Sequence, residues 1–390
     1  MSSQAPWWAF GPLALQLRTP SPNPPSPTPL PPKITRTYIP TSSGPLELLH
    51  GPLGDNRRGP PSLRMASTPA LLFLHGGFGC AEIWLQYLVN FSGMGYRCYA
   101  VSLRGHGKSW HPSFWEMYFT TRGQLAGDVV DAVKWVEQKE RELMGHESEG
   151  SVVLIAHSAG AALSQYVLST GLCRVRGFAM VAGVPGFGSF SCYSFWAKTA
   201  LFHFTYRLFH PRYILATTSQ IRAAFFLPSA SDETVKWLEQ RLSPYESMLW
   251  PMQGLFAFVT GPDVLRSITG WTSPEPKRGE LEDESHIRDS VLVLAAEKDV
   301  LVRPEIAKDA ALRYQRALLD VESSDRSEGL DGDGERKEKV KKGIRDLERG
   351  VGLRGSGVRF VVLSGATHHF MNEKENGKGM VELLYWVEQL

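Results

Sequence analysis

Cysteine, net charge and long apolar runs are all scarce in this 390-residue chain. Its 4 cysteines, Cys80, Cys98, Cys173 and Cys192, lie far apart, and none forms the close pair that a zinc site or a redox dithiol needs. Free thiols in a reducing compartment are therefore expected. The 42 Lys and Arg nearly balance the 40 Asp and Glu, leaving a net charge of +2, which argues against a nucleic-acid binder and against an acidic disordered chain. No stretch approaches the roughly 20 apolar residues that cross a bilayer. The first segment, MSSQAPWWAFGPLALQL, has an apolar centre but no basic residue before it and no clear small-residue cleavage site, so it reads as an arm rather than a secretory signal. Cytoplasmic residence is the resulting expectation.

What the chain does have is enough apolar content, 43%, to bury one large core or two ordinary ones. Proline alternates with small polar residues from Ser21 to Pro32, which favours extended polyproline structure, and residues 1–33 read as an arm and linker. ITRTYI and LELLHGPL follow with strand composition around Ser42-Ser43-Gly44-Pro45, the pattern of a hairpin. Short apolar strands then alternate with amphipathic segments: Ala70 to His75, Arg97 to Leu103, Val152 to Ala156, Gly177 to Ala182, Val291 to Ala295 and Val358 to Leu363. Such alternation predicts an α/β fold, a mostly parallel sheet with helices on both faces and the hairpin adding antiparallel pairing at one edge. Two interruptions stand out. Residues 184–290 are aromatic-rich and read as a folded helical insertion, which leaves 34–183 and 291–390 as the core. Residues 322–357, with ESSDRSEGLDGDGERKEKVKKG, are charged and glycine-bearing and read as a mobile loop within that core.

The strand SVVLIA runs into Ala156-His157-Ser158-Ala159-Gly160 and then into a helical stretch. A serine between small residues at a strand-to-helix turn can be held in a strained conformation that exposes its hydroxyl above the sheet, a nucleophile elbow. A helix-capping serine would give the same local pattern. Serine needs a base, and the base an orienting acid. Glu297 and Asp299 follow the strand VLVLA, and His368 and His369 follow RFVVLS, so the order serine, acid, histidine is that of the elbow-bearing hydrolases. The early strand ALLFLH ends in His75-Gly76-Gly77-Phe78-Gly79, where glycines allow close backbone approach. The amides of Gly77 and Ala159 are the expected oxyanion donors, with Phe78 an alternative to Gly77 and His75 orienting the loop. Phe78 and His157 are expected to face the substrate. Gly107-Lys108-Ser109 is no phosphate loop, because Ser102 stands where a Walker A motif requires glycine.

Taken together, His75-Gly76-Gly77, Arg104-Gly105-His106-Gly107-Lys108-Ser109 and Ala156-His157-Ser158-Ala159-Gly160 resemble the α/β-hydrolases of the lipase, esterase and monoacylglycerol-lipase-like kind. The resemblance spans about Ile34 to Leu390. It implies Asp299, in the small-x-x-Asp turn Ala296-Glu297-Lys298-Asp299, as the acid and His368, in Gly365-Ala366-Thr367-His368, as the base of a Ser158 triad. It also implies that residues 184–290 form a cap that sets specificity, and that no metal or organic cofactor is needed. Two departures are Ala156 in place of the first elbow glycine and Ser102 where the family often has aspartate. The window from Glu149 to Asp232 contains no acid between its ends but holds Arg174, Arg176, Lys198, Arg207, Arg212 and Arg222 among many aromatics. A lipid-like or acylglycerol-like ester is the favoured substrate, with peripheral contact to a membrane or lipid droplet through the cap. An amide-cleaving hydrolase and a weakly catalytic binding scaffold are the alternatives.

Overall fold

The computed structural model describes residues 29–52, 68–144, 150–195, 212, 215, 218–271, 287–324, 333–349, 355–373 and 376–390. Most of the expected arm lies outside these residues, as do Lys198, Arg207 and the aromatics between them. The strands are β1 Thr35–Ile39, β2 Leu46–His50, β3 Leu71–Leu74, β4 Cys98–Val101, β5 Val153–His157, β6 Gly177–Val181, β7 Val291–Ala296 and β8 Val358–Leu363. They form one 8-stranded sheet in the order β1-β2-β4-β3-β5-β6-β7-β8. β1, β2 and β4 pair antiparallel and every other neighbour is parallel, so the hairpin forms one edge as its composition predicted.

The helices are α1 Leu85–Gly93, α2 Phe114–Tyr118, α3 Arg122–Met144, α4 Ser158–Ser169, α5 Thr218–Phe225, α6 Asp232–Glu239, α7 Leu249–Gln253, α8 Gly261–Arg266, α9 Pro304–Ser324, α10 Asp333–Glu348 and α11 Asn376–Val387. Alternation along β3 shows how the sheet sorts them. Phe73 packs on Trp84, Tyr87 and Phe91 of the α1 side, whereas the neighbouring Leu74 faces Gly160 of α4. Central strands buried on both faces must be apolar throughout, and β3, β5, β6 and β7 are fully buried. No helix among the described residues is long and apolar enough to cross a membrane.

Two expected boundaries need correction. The insertion does not run to residue 290 as one cap: α8 packs between α4 and α9 in the core layer, with Ser267 Oγ donating to Leu168 O at 2.7 Å and Val175 pairing with Ile268. Its short length hid it within the aromatic-rich stretch. Residues 322–357 are not one loop either, because α9 ends at Ser324 and α10 occupies Asp333–Glu348. The reason is a thin apolar stripe, Val340, Gly343 and Leu347, buried at helical spacing among charges. A Cβ at Gly343 would meet Ser356 Oγ at 2.8 Å, so the helix lies hard against the start of β8.

Leu347→Ala should therefore lower stability by about 2–5 kcal/mol, read as a fall in the urea midpoint. An unchanged midpoint would mean that α10 is not packed.

Candidate active site

Every candidate residue sits at the carboxyl end of a strand, where open α/β sheets gather their ligands. β5 ends at His157 with extended backbone, and Ser158 turns to φ +50° before α4 begins. A side chain is strained there, and the strain persists because the surroundings leave no alternative. A Cβ at Gly160 would lie 2.1 Å from His75 O, and one at Gly76 would lie 2.7 Å from Ser158 Cβ. Both positions therefore need glycine. Ala156 lies one strand residue back, paired between Leu74 and Met180, where its methyl group is accommodated in the sheet.

The Ser158 hydroxyl donates to His368 Nε2 at 2.9 Å, and His368 Nδ1–H donates to Asp299 Oδ2 at 2.7 Å. Asp299 Oδ1 accepts from the amides of Leu301 and Val302 at 2.8 and 2.9 Å, which fixes the carboxylate. The structure thus brings Ser158, His368 and Asp299 together across long stretches of chain. Glu297 stays at the surface, accepting from Gly365 N at 2.8 Å and Ser364 Oγ at 3.1 Å, and so braces the loop that carries His368. His369 turns away, with Nδ1 2.7 Å from Asn372 Oδ1 and its ring against Phe225. Phe225, from the insertion, also stacks on His368 with ring centroids 5.6 Å apart and 16° between planes.

His157 corrects an expectation. Its side chain is buried and points behind the elbow rather than into the pocket, donating from Nε2 to His368 O at 3.0 Å. Strand alternation is the cause: exposing Ser158 at the turn sends the preceding side chain into the α1 layer, beside Trp84. Phe78, by contrast, lines the pocket. His75 orients the loop, donating from Nδ1 to Gly76 O at 2.7 Å and accepting the Leu103 amide on Nε2 at 3.1 Å. Burial first, and the neighbouring His106 second, push His75 down to about 3. Burial and the adjacent His368 push His369 down to about 3, and burial with both neighbours lowers His157. The rings stay neutral, and that of His157 packs against both His368 and His369 with centroids 4.8 Å apart. Burial, then Asp299, pushes the Cys192 thiol in the pocket wall up to about 12, so it offers no competing thiolate.

Three contributors had no local sequence signal. Glu47 of β2 accepts from Ser102 Oγ at 2.7 Å and from Lys108 N at 2.8 Å, supplying from another strand a carboxylate at the turn where Ser102 departs from the family pattern. Phe225 is one of several aromatics in its segment. Glu246 is the one charged side chain among the described pocket-lining residues; its Oε2 accepts from Phe78 N at 2.8 Å and lies 2.8 Å from His106 Nε2.

Comparison with known proteins agrees with this architecture. The Alpha/beta hydrolase family matches residues 71–334. An esterase from Rhodococcus sp. ECU1013 is similar at 16% identity and TM-score 0.54, over 92% of this chain and 99% of its own. A thermophilic esterase from Thermogutta terrifontis is similar at 15% identity and TM-score 0.53, over 91% of this chain and 98% of its own. Likeness at these identities concerns the fold. A stretch of 121 residues, 31% of this chain, is 26% identical to Protein PHYLLO, chloroplastic, of Arabidopsis thaliana, and spans only 7% of that protein's length. With the family match covering most of the chain, and a sheet and elbow built as described, the protein belongs to the alpha/beta hydrolase family.

Proposed function

We propose that the protein is a serine hydrolase that cleaves a carboxylic ester with an apolar acyl group through an acyl-enzyme. The observation that carries this reading is the hydrogen-bonded series Ser158, His368, Asp299 with its hydroxyl end in a largely apolar pocket. In this mechanism His368 Nε2 takes the hydroxyl proton as Ser158 Oγ attacks the acyl carbon. Asp299 stabilises the imidazolium, which then protonates the departing alcohol. Water, deprotonated by the same histidine, attacks the acyl-enzyme and releases the acid. The oxyanion is held by the amides of Gly77 and Ala159. Two observations support that pair: the Phe78 amide is already donated to Glu246, and Ala159 lies in the first turn of α4, where amides lack an intrahelical acceptor.

Val184, Leu215, Phe225, Trp250 and Leu301 give the pocket its apolar wall, which suits an acyl chain. The described basic residues of the insertion support an anionic headgroup less well. Arg212 donates to the carbonyls of Ser243 and Leu242, and Arg222 pairs with Asp232. An amide-cleaving enzyme that held a substrate amine would need a free acid in the pocket, and Glu246 is already engaged by Phe78, Ser247 and His106. Contact with a membrane or lipid droplet would rest chiefly on the aromatic and basic residues of 196–211, outside the described residues.

Purified protein should label with a fluorophosphonate and hydrolyse p-nitrophenyl esters. Ser158→Ala should abolish labelling and lower turnover by about a thousandfold or more. An unlabelled, folded wild type would overturn the reading. The acid limit of the fold is set separately by buried neutral histidines. His75 and His369 fall from an ordinary 6.5 to about 3 in the folded chain, so between these values the unfolded chain binds protons that the folded chain refuses. The contribution of these two rings to stability is thus full above about pH 6.5 and is lost as pH falls towards 3, by about 1.4 kcal/mol per pH unit for each ring. His369→Gln should flatten that slope in urea titrations between pH 6 and about 4; an identical slope would remove His369 from the account.

A further inference from the structure

The insertion grips the oxyanion loop at one residue. Phe78 stands at φ +60°, a strained value for a side-chain-bearing residue, and both polar groups of its backbone are held from the segment Ser243–Ser247. Its N–H donates to Glu246 Oε2 at 2.8 Å, and its carbonyl accepts from Ser243 N at 2.8 Å. Glu246 is only 5% exposed and is fixed in turn, with Oε1 accepting from Ser247 N at 2.8 Å and Oε2 lying 2.8 Å from His106 Nε2. His106 Nδ1 faces the Arg104 carbonyl at 2.7 Å. His106 Nδ1 faces a carbonyl, which can only accept, and Nε2 faces Glu246, which against the effect of burial is held below the usual carboxylate range by His106 and two amides; with Glu246 ionised, each ring nitrogen carries a proton. The pair is an imidazolium against a carboxylate, buried under the pocket. Removing its anionic half would leave a buried, uncompensated cation and free Phe78 to relax.

Gly77 lies between this grip and the elbow. A Cβ built on it would be 3.8 Å from Glu246 Oε2 and 3.8 Å from Ala159 Cβ. The Gly77 and Phe78 N–H groups belong to successive peptides joined at the Gly77 Cα, so release of the Phe78 peptide loosens the aim of the Gly77 amide. An oxyanion donor acts only at its aimed position, and misplacement of about 1 Å in such sites costs about a hundredfold.

We infer that Glu246 is a positioning residue for the oxyanion donor Gly77, acting from the insertion through the Phe78 amide and the His106 imidazolium. The inference rests on the ester-hydrolase reading. It gives the insertion a part in transition-state stabilisation, beyond that of covering the pocket.

The test compares wild type with Glu246→Ala, Glu246→Asp and Glu246→Gln, each checked for folding by circular dichroism. The readouts are kcat/KM for p-nitrophenyl butyrate, Ki for phenylboronic acid, which forms a tetrahedral adduct on serine, and Kd for a non-reactive ether analogue of the ester. Glu246→Ala should lower kcat/KM about ten- to a hundredfold and raise the boronate Ki by the same factor, leaving the ether Kd within about twofold. General loosening of the pocket would instead move the ether as much as the boronate, and that result overturns the inference. Glu246→Asp, whose carboxylate is withdrawn by one methylene, should also lose activity. Glu246→Gln, which can still accept from Phe78, should recover part of it. Folded Glu246→Ala or Glu246→Asp with wild-type kcat/KM and Ki overturns the inference and leaves the hydrolase reading intact. A wild type that neither labels nor turns over overturns that reading itself, and the inference with it.

Discussion

The approach of two backbones behind the elbow governs the site. With His75 O where a Cβ of residue 160 would stand 2.1 Å away, the β3 loop and the start of α4 can meet only because that position is glycine. The approach leaves Ser158 little choice but its positive φ, which lifts the hydroxyl clear of the sheet. It also brings Gly77 beside Ala159, a Cβ built on Gly77 being 3.8 Å from Ala159 Cβ. The parallel sheet serves this contact by fixing β3 and β5 as neighbours in register from Leu71 and Val153 to Leu74 and Ala156.

The insertion completes what the sheet begins. Phe225 lays its ring along His368 while its carbonyl accepts from His369 N at 3.2 Å and Thr367 Oγ1 at 2.7 Å. Near Phe78, Ser243 and Glu246 hold the opposite wall of the pocket, and Arg241 lies 3.1 Å from Glu82 at the foot of the same loop. Glu82 also receives Arg36 from the hairpin at 3.0 Å, so hairpin, loop and insertion share one carboxylate. Charges buried in such a network are worth little as isolated pairs, but loss of one member strands the others. Their effect is to define one position for the insertion relative to the sheet.

What the sequence disclosed and what it concealed divide along contact range. The sheet, the hairpin edge, the elbow and the order of serine, acid and histidine each leave a mark within a few residues, because period and turn chemistry are local. Two ambiguities in the sequence, Asp299 against Glu297 and His368 against His369, are narrowed only by the turn patterns of a family resemblance; in the structure His368 Nδ1 lies 2.7 Å from Asp299 Oδ2. Nothing near Pro244-Tyr245-Glu246-Ser247 announces a partner in Phe78, separated by 168 positions. Glu47 and Ser102 are likewise 55 positions apart and meet only because β2 pairs with β4. Helix α10 hid for a different reason, its buried stripe being too thin to stand out from its charges.

The commitment of Glu246 bears on how this pocket could discriminate. A free carboxylate would favour a substrate cation and penalise an anion. With both oxygens filled by two amides and an imidazolium, Glu246 has little field left to offer, and the remaining described wall is chiefly apolar. On the ester-hydrolase reading, selection among acyl groups then falls to buried area and shape. Each methylene is worth about 0.8 kcal/mol, a factor of roughly four, so neighbouring chain lengths would be graded rather than excluded. A sharp cutoff would require a steric stop, and among the described residues Trp250 and Phe225 are the bulky side chains placed to provide one. On that reading polar acyl groups would be rejected more steeply than long ones, since the side chains Val184, Leu215, Phe225, Trp250 and Leu301 of the described wall cannot replace the water they lose.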